Sequence, residues 1–185
     1  MNVHVPLSVR PPAARFTATD YLRMLDAGAF EDMKVELIDG ELWKMSPAHS
    51  LHGRRHMQVA GELYRCLTGT TMEAMLDIAT ILADQTVCGP DIGVFTSEAA
   101  RTGPQTAEHL LLAVEISDST LDQDLDLKAP LYAAAQVPIL WVVDVRAEIT
   151  HVMTDPDGHG YRTRRTIPFA QALPVPGTEK SITLA

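Results

Sequence analysis

HLLLAVEISDSTLDQDLDLKAPLYAAAQVPILWVVD, residues 109–144, decides the fold class. The apolar run 111–114 ends on Glu115, an acidic turn follows, and a helical stretch carries Lys128. A second apolar run, 139–143, ends on Asp144. The first of these runs is near-continuous through residue 116, which reads as a central strand covered on both faces. Leu121, Leu125, Lys128, Tyr132 and Ala135 recur at steps of four, three, four and three. That spacing puts the lysine in the apolar stripe of the helix, facing the sheet. A lysine there must snorkel or find an acid, and Glu115 is the obvious acid; either the two form only a salt bridge, or Lys128 is catalytic, its ammonium orienting an attacking water or stabilising charge on a phosphate oxygen. Pro130 interrupts the pattern. Inside a helix it costs about 3 kcal/mol, so regular helix is expected to start only near residue 126 or 127.

Upstream, residues 91–95 read as a short apolar strand that begins on Asp91. If it pairs antiparallel with the strand ending at Glu115, the two carboxylates meet at one edge of the sheet. Two nearby carboxylates repel, and burial raises their cost. A hard divalent cation with oxygen ligands and retained waters resolves this, and it eases ionisation of a water for attack on phosphorus. The bland alternative is two unrelated strand-end acids on the surface, and spacing alone leaves both open.

The rest of the chain supplies the frame. Residues 1–15 are Pro-rich and read as a flexible arm. Thr17 and Asp20 fit a capping box for a short helix with Tyr21, Leu22 and Leu25 on its apolar face, ended by Gly28. Residues 35–38 and 41–45 flank Asp39-Gly40, a hairpin signal, with Val35 and Leu37 on one face and Glu36 and Ile38 on the other. Pro47 closes the hairpin. Residues 50–67 read as the longest helix, with Leu51, Met57, Ala60, Leu63, Tyr64 and Leu67 as its apolar stripe and Gly69 as its stop. Residues 72–82 are expected to form one bent strand, 88–90 a turn, and 96–109 a polar loop. Segments 149–154 and 161–167 flank Asp155-Pro156-Asp157-Gly158 as a second hairpin. The last residues form a loop with an edge strand. The order predicts an α/β (α+β) fold with helices on a mostly antiparallel or mixed sheet, flanked by N- and C-terminal β-hairpins.

With 185 residues, the chain fits one domain, over 16–185. A formal net charge of −9 argues against coating nucleic acid by bulk electrostatics, while leaving local contact open. Carboxylates of a metal site would add to that count. Arg162, Arg164 and Arg165 form the densest basic cluster, most simply a solvated strand face. No apolar run is long enough to span a membrane, no secretory h-region opens the chain, and Cys66 and Cys88 read as reduced thiols. A cytoplasmic protein is expected. His49, His52 and His56 suit either a metal trio or polar and capping roles, without an HExxH motif beside them. Ser46, Ser117 and Ser119 lack a nucleophile elbow, and Gly93 and Gly103 form no phosphate loop.

Taken together, ELIDGELWKMSP (36–47), His52, Pro90-Asp91, VEISDST (114–120), Lys128, Tyr132 and VPILWVVD (137–144) resemble the Uma-two family of the PD-(D/E)XK nuclease superfamily. The resemblance runs from about Phe16 to about Ile167. It implies a restriction-endonuclease-like fold with a Mg2+ (or Mn2+) site at splayed strand ends, DNA as substrate and a homodimer. By position, Asp91 matches the motif aspartate, Glu115 the second acid, and Lys128 a lysine displaced onto the following helix. Glu36 matches a further acid that ligates metal or supports a ligand, and His52 and Tyr132 stand as supporting residues. The usual lysine two residues after the second acid is absent, since Ser117 stands there. Two further readings stay open: an inactive nuclease-fold protein that binds nucleic acid or a partner protein, and a hydrolase of other phosphoesters.

Overall fold

The computed structural model of the chain describes residues 13–46 and 49–184. The arm expected over 1–15 lies outside the described residues up to residue 12, and so does Pro47. From Arg15 onward the chain is pinned to the first hairpin: Arg15 pairs with Asp39 at 3.1 Å, and the Phe16 N–H donates to the Gly40 carbonyl at 2.9 Å.

The elements follow in the order α1 (Ala18–Asp26), β1 (Val35–Ile38), β2 (Glu41–Lys44), α2 (Ser50–Leu67), β3 (Glu73–Leu76), β4 (Thr80–Ala83), β5 (Thr86–Cys88) and β6 (Ile92–Phe95). Then come β7 (Gln105–Thr106), β8 (Leu110–Ser117), α3 (Ala129–Ala134), β9 (Ile139–Asp144), β10 (Ile149–Pro156), β11 (Tyr161–Pro168), β12 (Leu173–Pro174) and β13 (Ser181–Ile182). The main sheet runs β11-β10-β9-β8-β6-β3. It is mixed, because β8 and β9 are parallel while its other neighbours are antiparallel. Strand β8 is central, as its apolar run predicts.

The two faces of β8 bury different partners. Leu112, Val114 and Ile116 pack with Val59, Leu63 and Leu67 of α2 in one core. Ala113 packs with Tyr132 and Ala133 of α3 in the other. Each fully buried aliphatic side chain contributes about 1.5–3 kcal/mol, so the helices are fixed on the sheet mainly by these contacts. Gly93 of β6 leaves room for the Phe95 ring, which a Cβ would meet at 2.4 Å. Gly93→Ala is therefore expected to cost about 1–3 kcal/mol through overpacking. A denaturant midpoint equal to wild type would show that the core accommodates the methyl group.

Several expectations need correction. The bent strand over 72–82 is two strands in two sheets. Asp77 adopts φ +49, a left-handed conformation that Asp tolerates, and turns the chain between them. β3 joins the main sheet, while β4 enters a second sheet, β2-β1-β5-β4-β7, that the sequence did not predict. Part of the polar loop 96–109 is strand: Gln105 is buried in β7 and bonds the Ala79 carbonyl at 2.8 Å. Helix α2 has the predicted bounds, but Leu51, Met57 and Tyr64 are exposed. Its buried face is Val59, Leu63, Cys66 and Leu67.

The helix before β9 is also irregular. Residues Gln123–Lys128 form a π-helical turn that leads into α3. Pro130 has no N–H and crowds the preceding turn, and the wider π turn accommodates both constraints. Arg162, Arg164 and Arg165 lie on the edge strand β11, with Arg162 3.5 Å from Asp157. Both cysteines are buried and free. Among the described residues no helix is long and apolar enough to cross a membrane.

Candidate active site

Strands β6 and β8 pair antiparallel with Ile92 opposite Val114. This register sets Asp91, just before β6, beside Glu115 near the end of β8. The Ile116 N–H donates to Asp91 Oδ2 at 2.7 Å, which locks the two strand ends together. The N-terminal half of α2 lies over them. His52 Nε2 is 3.1 Å from Asp91 Oδ2, and His56 Nε2 is 2.9 Å from the Asp91 carbonyl. The histidines thus form no metal trio. Two of them hold Asp91, with rings edge to face at 5.9 Å, and His49 stands at the N-cap of α2 with no side-chain capping bond among the described residues.

Alternation in β8 turns Glu115 away from α2, toward the π turn and α3. Lys128 Nζ lies 3.2 Å from both Glu115 oxygens and 3.3 Å from Glu36 Oε1. The Tyr132 hydroxyl donates to Glu115 Oε1 at 2.7 Å. Glu36 reaches this point from β1, where Val35 and Leu37 face α1, and its Oε1 also accepts the Gly89 N–H at 3.0 Å. Its other oxygen, Oε2, is buried and has no hydrogen-bond partner among the described residues. Asp91, Glu115, Lys128 and Glu36 thus converge on a cleft of about 610 Å3.

The charges in this cleft are strongly perturbed. Burial pushes the Asp91 carboxyl up, but the hydrogen bonds from His52 and the Ile116 N–H, with the positive charge of Lys34, outweigh it and hold it low. His52 is raised in turn, first by its bond to Asp91. For Glu115 burial wins over the Lys128 ammonium, and the carboxyl rises to about 8. Burial disfavours the Lys128 ammonium, yet Glu115 and Glu36 keep its pKa well above the ordinary lysine value. One ammonium faces two carboxylates, so one negative charge in the cleft remains to be met by a proton or a cation.

The oxygen donors suit a hard divalent ion. Mg2+ is commonly held by one or two carboxylates with waters and substrate phosphate in the remaining positions. Asp91 and Glu115 supply such a pair, and the unpartnered Glu36 Oε2 adds a buried oxygen nearby. Among the described residues, however, no three His, Cys, Asp or Glu side chains are gathered as ligands of one ion. Glu36 instead shares Lys128 and the Gly89 N–H.

Sequence reasoning missed several residues of the cleft, Asp124 and Lys34 among them. Asp124 is buried and accepts the Ser117 hydroxyl at 2.5 Å and the Thr120 hydroxyl at 2.8 Å. Ser117 therefore anchors the π turn. The only sequence signal was Asp124 four residues before Lys128. Lys34 also lines the cleft, from the residue before β1.

A family model described as "Uma2: Putative restriction endonuclease" matches residues 18–185. A solved structure titled as a "putative nuclease belonging to DUF820" from Anabaena variabilis superposes with a TM-score of 0.66 at 15% identity. The match covers 87% of this chain and 89% of that one, and at this identity it establishes the restriction-endonuclease-like fold. No curated protein matches the chain significantly.

Proposed function

The chain belongs to the Uma2 family of restriction-endonuclease-like proteins, and on that premise we propose that it is a Mg2+- or Mn2+-dependent endonuclease hydrolysing phosphodiester bonds in DNA. The observation that carries this reading is that two buried carboxylates, Asp91 and Glu115, line one cleft from adjacent strand ends, with the Ile116 N–H bonded to Asp91. Asp91 and Glu115 would hold the ion. When bound, it supplies charge neutralisation at phosphorus and eases ionisation of water. Lys128 is a positioning residue: it fixes Glu115 and Glu36. Tyr132 orients Glu115 from the other side, and His52 with the Ile116 N–H keeps Asp91 ionised. A single domain over 16–185, a cytoplasmic location and a homodimer belong to the same proposal.

Metal binding should be proton-linked. Glu115, raised to about 8, carries a proton at pH 6 that an ion must displace. Mn2+ affinity by calorimetry is therefore expected to rise about tenfold per pH unit below 8 and to level off above it. Glu115→Gln should weaken binding and flatten that slope. A pH-independent affinity in the wild type would remove Glu115 from the ligand set.

A second reading, an inactive nuclease-fold protein that binds nucleic acid or a partner, is favoured by Ser117 in place of a lysine. Absence of Mg2+ and Mn2+ binding at pH 8 would select it.

A further inference from the structure

Lys128 has an ammonium with three N–H donors, and the structure accounts for all three. They face Glu115 Oε1, Glu115 Oε2 and Glu36 Oε1, on a side chain that is 7% exposed. A substrate phosphate entering the cleft finds no donor left on it. Lys34 stands differently. Its backbone is fixed at the root of the first hairpin, where its carbonyl accepts the Met45 N–H at 2.9 Å. Its side chain is 44% exposed and lines the cleft, with Nζ 2.6 Å from Asp77 Oδ1 and 4.0 Å from Asp91 Oδ1. Asp77 is itself half exposed, and its N–H donates to the Asp91 carbonyl at 3.2 Å.

We infer that Lys34 is the phosphate-binding cation of this cleft, with Asp77 occupying in the free protein the place that a substrate phosphate oxygen takes. The inference rests on the nuclease reading above and adds a substrate contact to it. An exposed Lys–Asp pair is worth little, so exchanging one anion for another costs little. A flexible four-carbon stem lets the ammonium move between them. The position is also apt: a phosphate met by Lys34 lies next to Asp91, at the carboxylate pair. The five residues between Ser117 and the π turn, 118–122, include no lysine to do this, and a phosphate cation supplied by Lys34 gives a physical reason for the serine to be tolerated there.

The test is fluorescence anisotropy of a labelled DNA duplex against wild type, Lys34→Ala, Lys34→Arg and Asp77→Asn, over a range of salt, with melting temperatures as a check on folding. Asn suits position 77 because it tolerates the left-handed backbone there. Lys34→Ala should bind roughly tenfold more weakly and lose about one unit of salt slope. Lys34→Arg should retain most of the affinity. Asp77→Asn, which removes the competing anion, should bind as tightly as wild type or more so. Two results would overturn the assignment while leaving the nuclease reading intact: unchanged affinity and slope in Lys34→Ala, or parallel losses in Lys34→Ala and Asp77→Asn, which mark a structural ion pair. A wild-type protein that neither binds nor cuts duplex DNA would overturn both.

Discussion

Asp91→Ala should abolish metal-dependent DNA cleavage, with a loss on the order of a hundred- to a thousandfold or more. A bound cation supplies several kcal/mol of charge stabilisation at phosphorus, and each 1.4 kcal/mol is a factor of ten in rate. The same carboxylate has a structural duty, since it accepts the buried Ile116 N–H at 2.7 Å and binds His52. Leaving that N–H unpaired costs about 1–3 kcal/mol, so the alanine variant is also expected to be less stable. Asp91→Asn separates the two effects. It keeps an acceptor for Ile116 but loses the charge, so it should keep most of the stability and lose the cleavage. Rates of cleavage by a folded Asp91→Ala protein, measured with Mg2+ on supercoiled DNA, decide the matter: wild-type rates would sink the assignment.

Lys128→Met is expected to produce the largest stability loss. It leaves Glu36 and Glu115, 2% and 3% exposed, without their cation. Breaking a buried ion pair from one side costs about 3–5 kcal/mol. The loss should depend on pH in a definite direction. A buried carboxyl whose folded pKa is raised contributes stability below its unfolded value and loses it as pH rises through the folded one. Glu115 is already raised from 4.5 to about 8 by burial, against the pull of Lys128. Without that pull it rises further, so wild type and variant diverge only above about pH 8: the variant's deficit should be small at pH 5 and large at about pH 9.5. Adding Glu115→Gln should recover part of the loss. Denaturant midpoints at both pH values check this. An equal deficit at pH 5 and about pH 9.5, with no recovery in the double variant, would mean that Lys128 acts only through packing.

Features that depend on neighbours in sequence were legible. Thr17 and Asp20 make both bonds of a capping box, because that motif is built from four consecutive residues. Asp39-Gly40 forms the hairpin turn with both residues at positive φ. The helix bounds at Ser50 and Leu67 followed from periodicity and a following glycine. The Lys128–Glu115 contact was readable too, since strand end and helix face are only 13 residues apart. What was not legible depends on distant partners. The apolar residues of α2 lie all round the helix, and only the sheet beneath it selects Val59, Leu63, Cys66 and Leu67 over Met57 and Tyr64. The second sheet arises from Asp77, whose left-handed conformation has no strong sequence marker.

The sequence by itself determined the apolar central strand with Glu115 near its end and, through the order of its motifs, the resemblance to the family, because both are read along the chain; it left the sheet antiparallel or mixed, and the meeting of Asp91 with Glu115 conditional on an antiparallel pairing. Only the tertiary structure decided how the charges are shared. It brought Glu36 to Lys128 across 92 residues and thereby used up the last N–H donor of that lysine. It turned Ser117 onto Asp124, and it set Lys34 at the cleft beside Asp91. The physical reason is that a buried ammonium takes whichever carboxylates the packing brings near. Packing is decided by the burial of two cores and not by spacing along the chain.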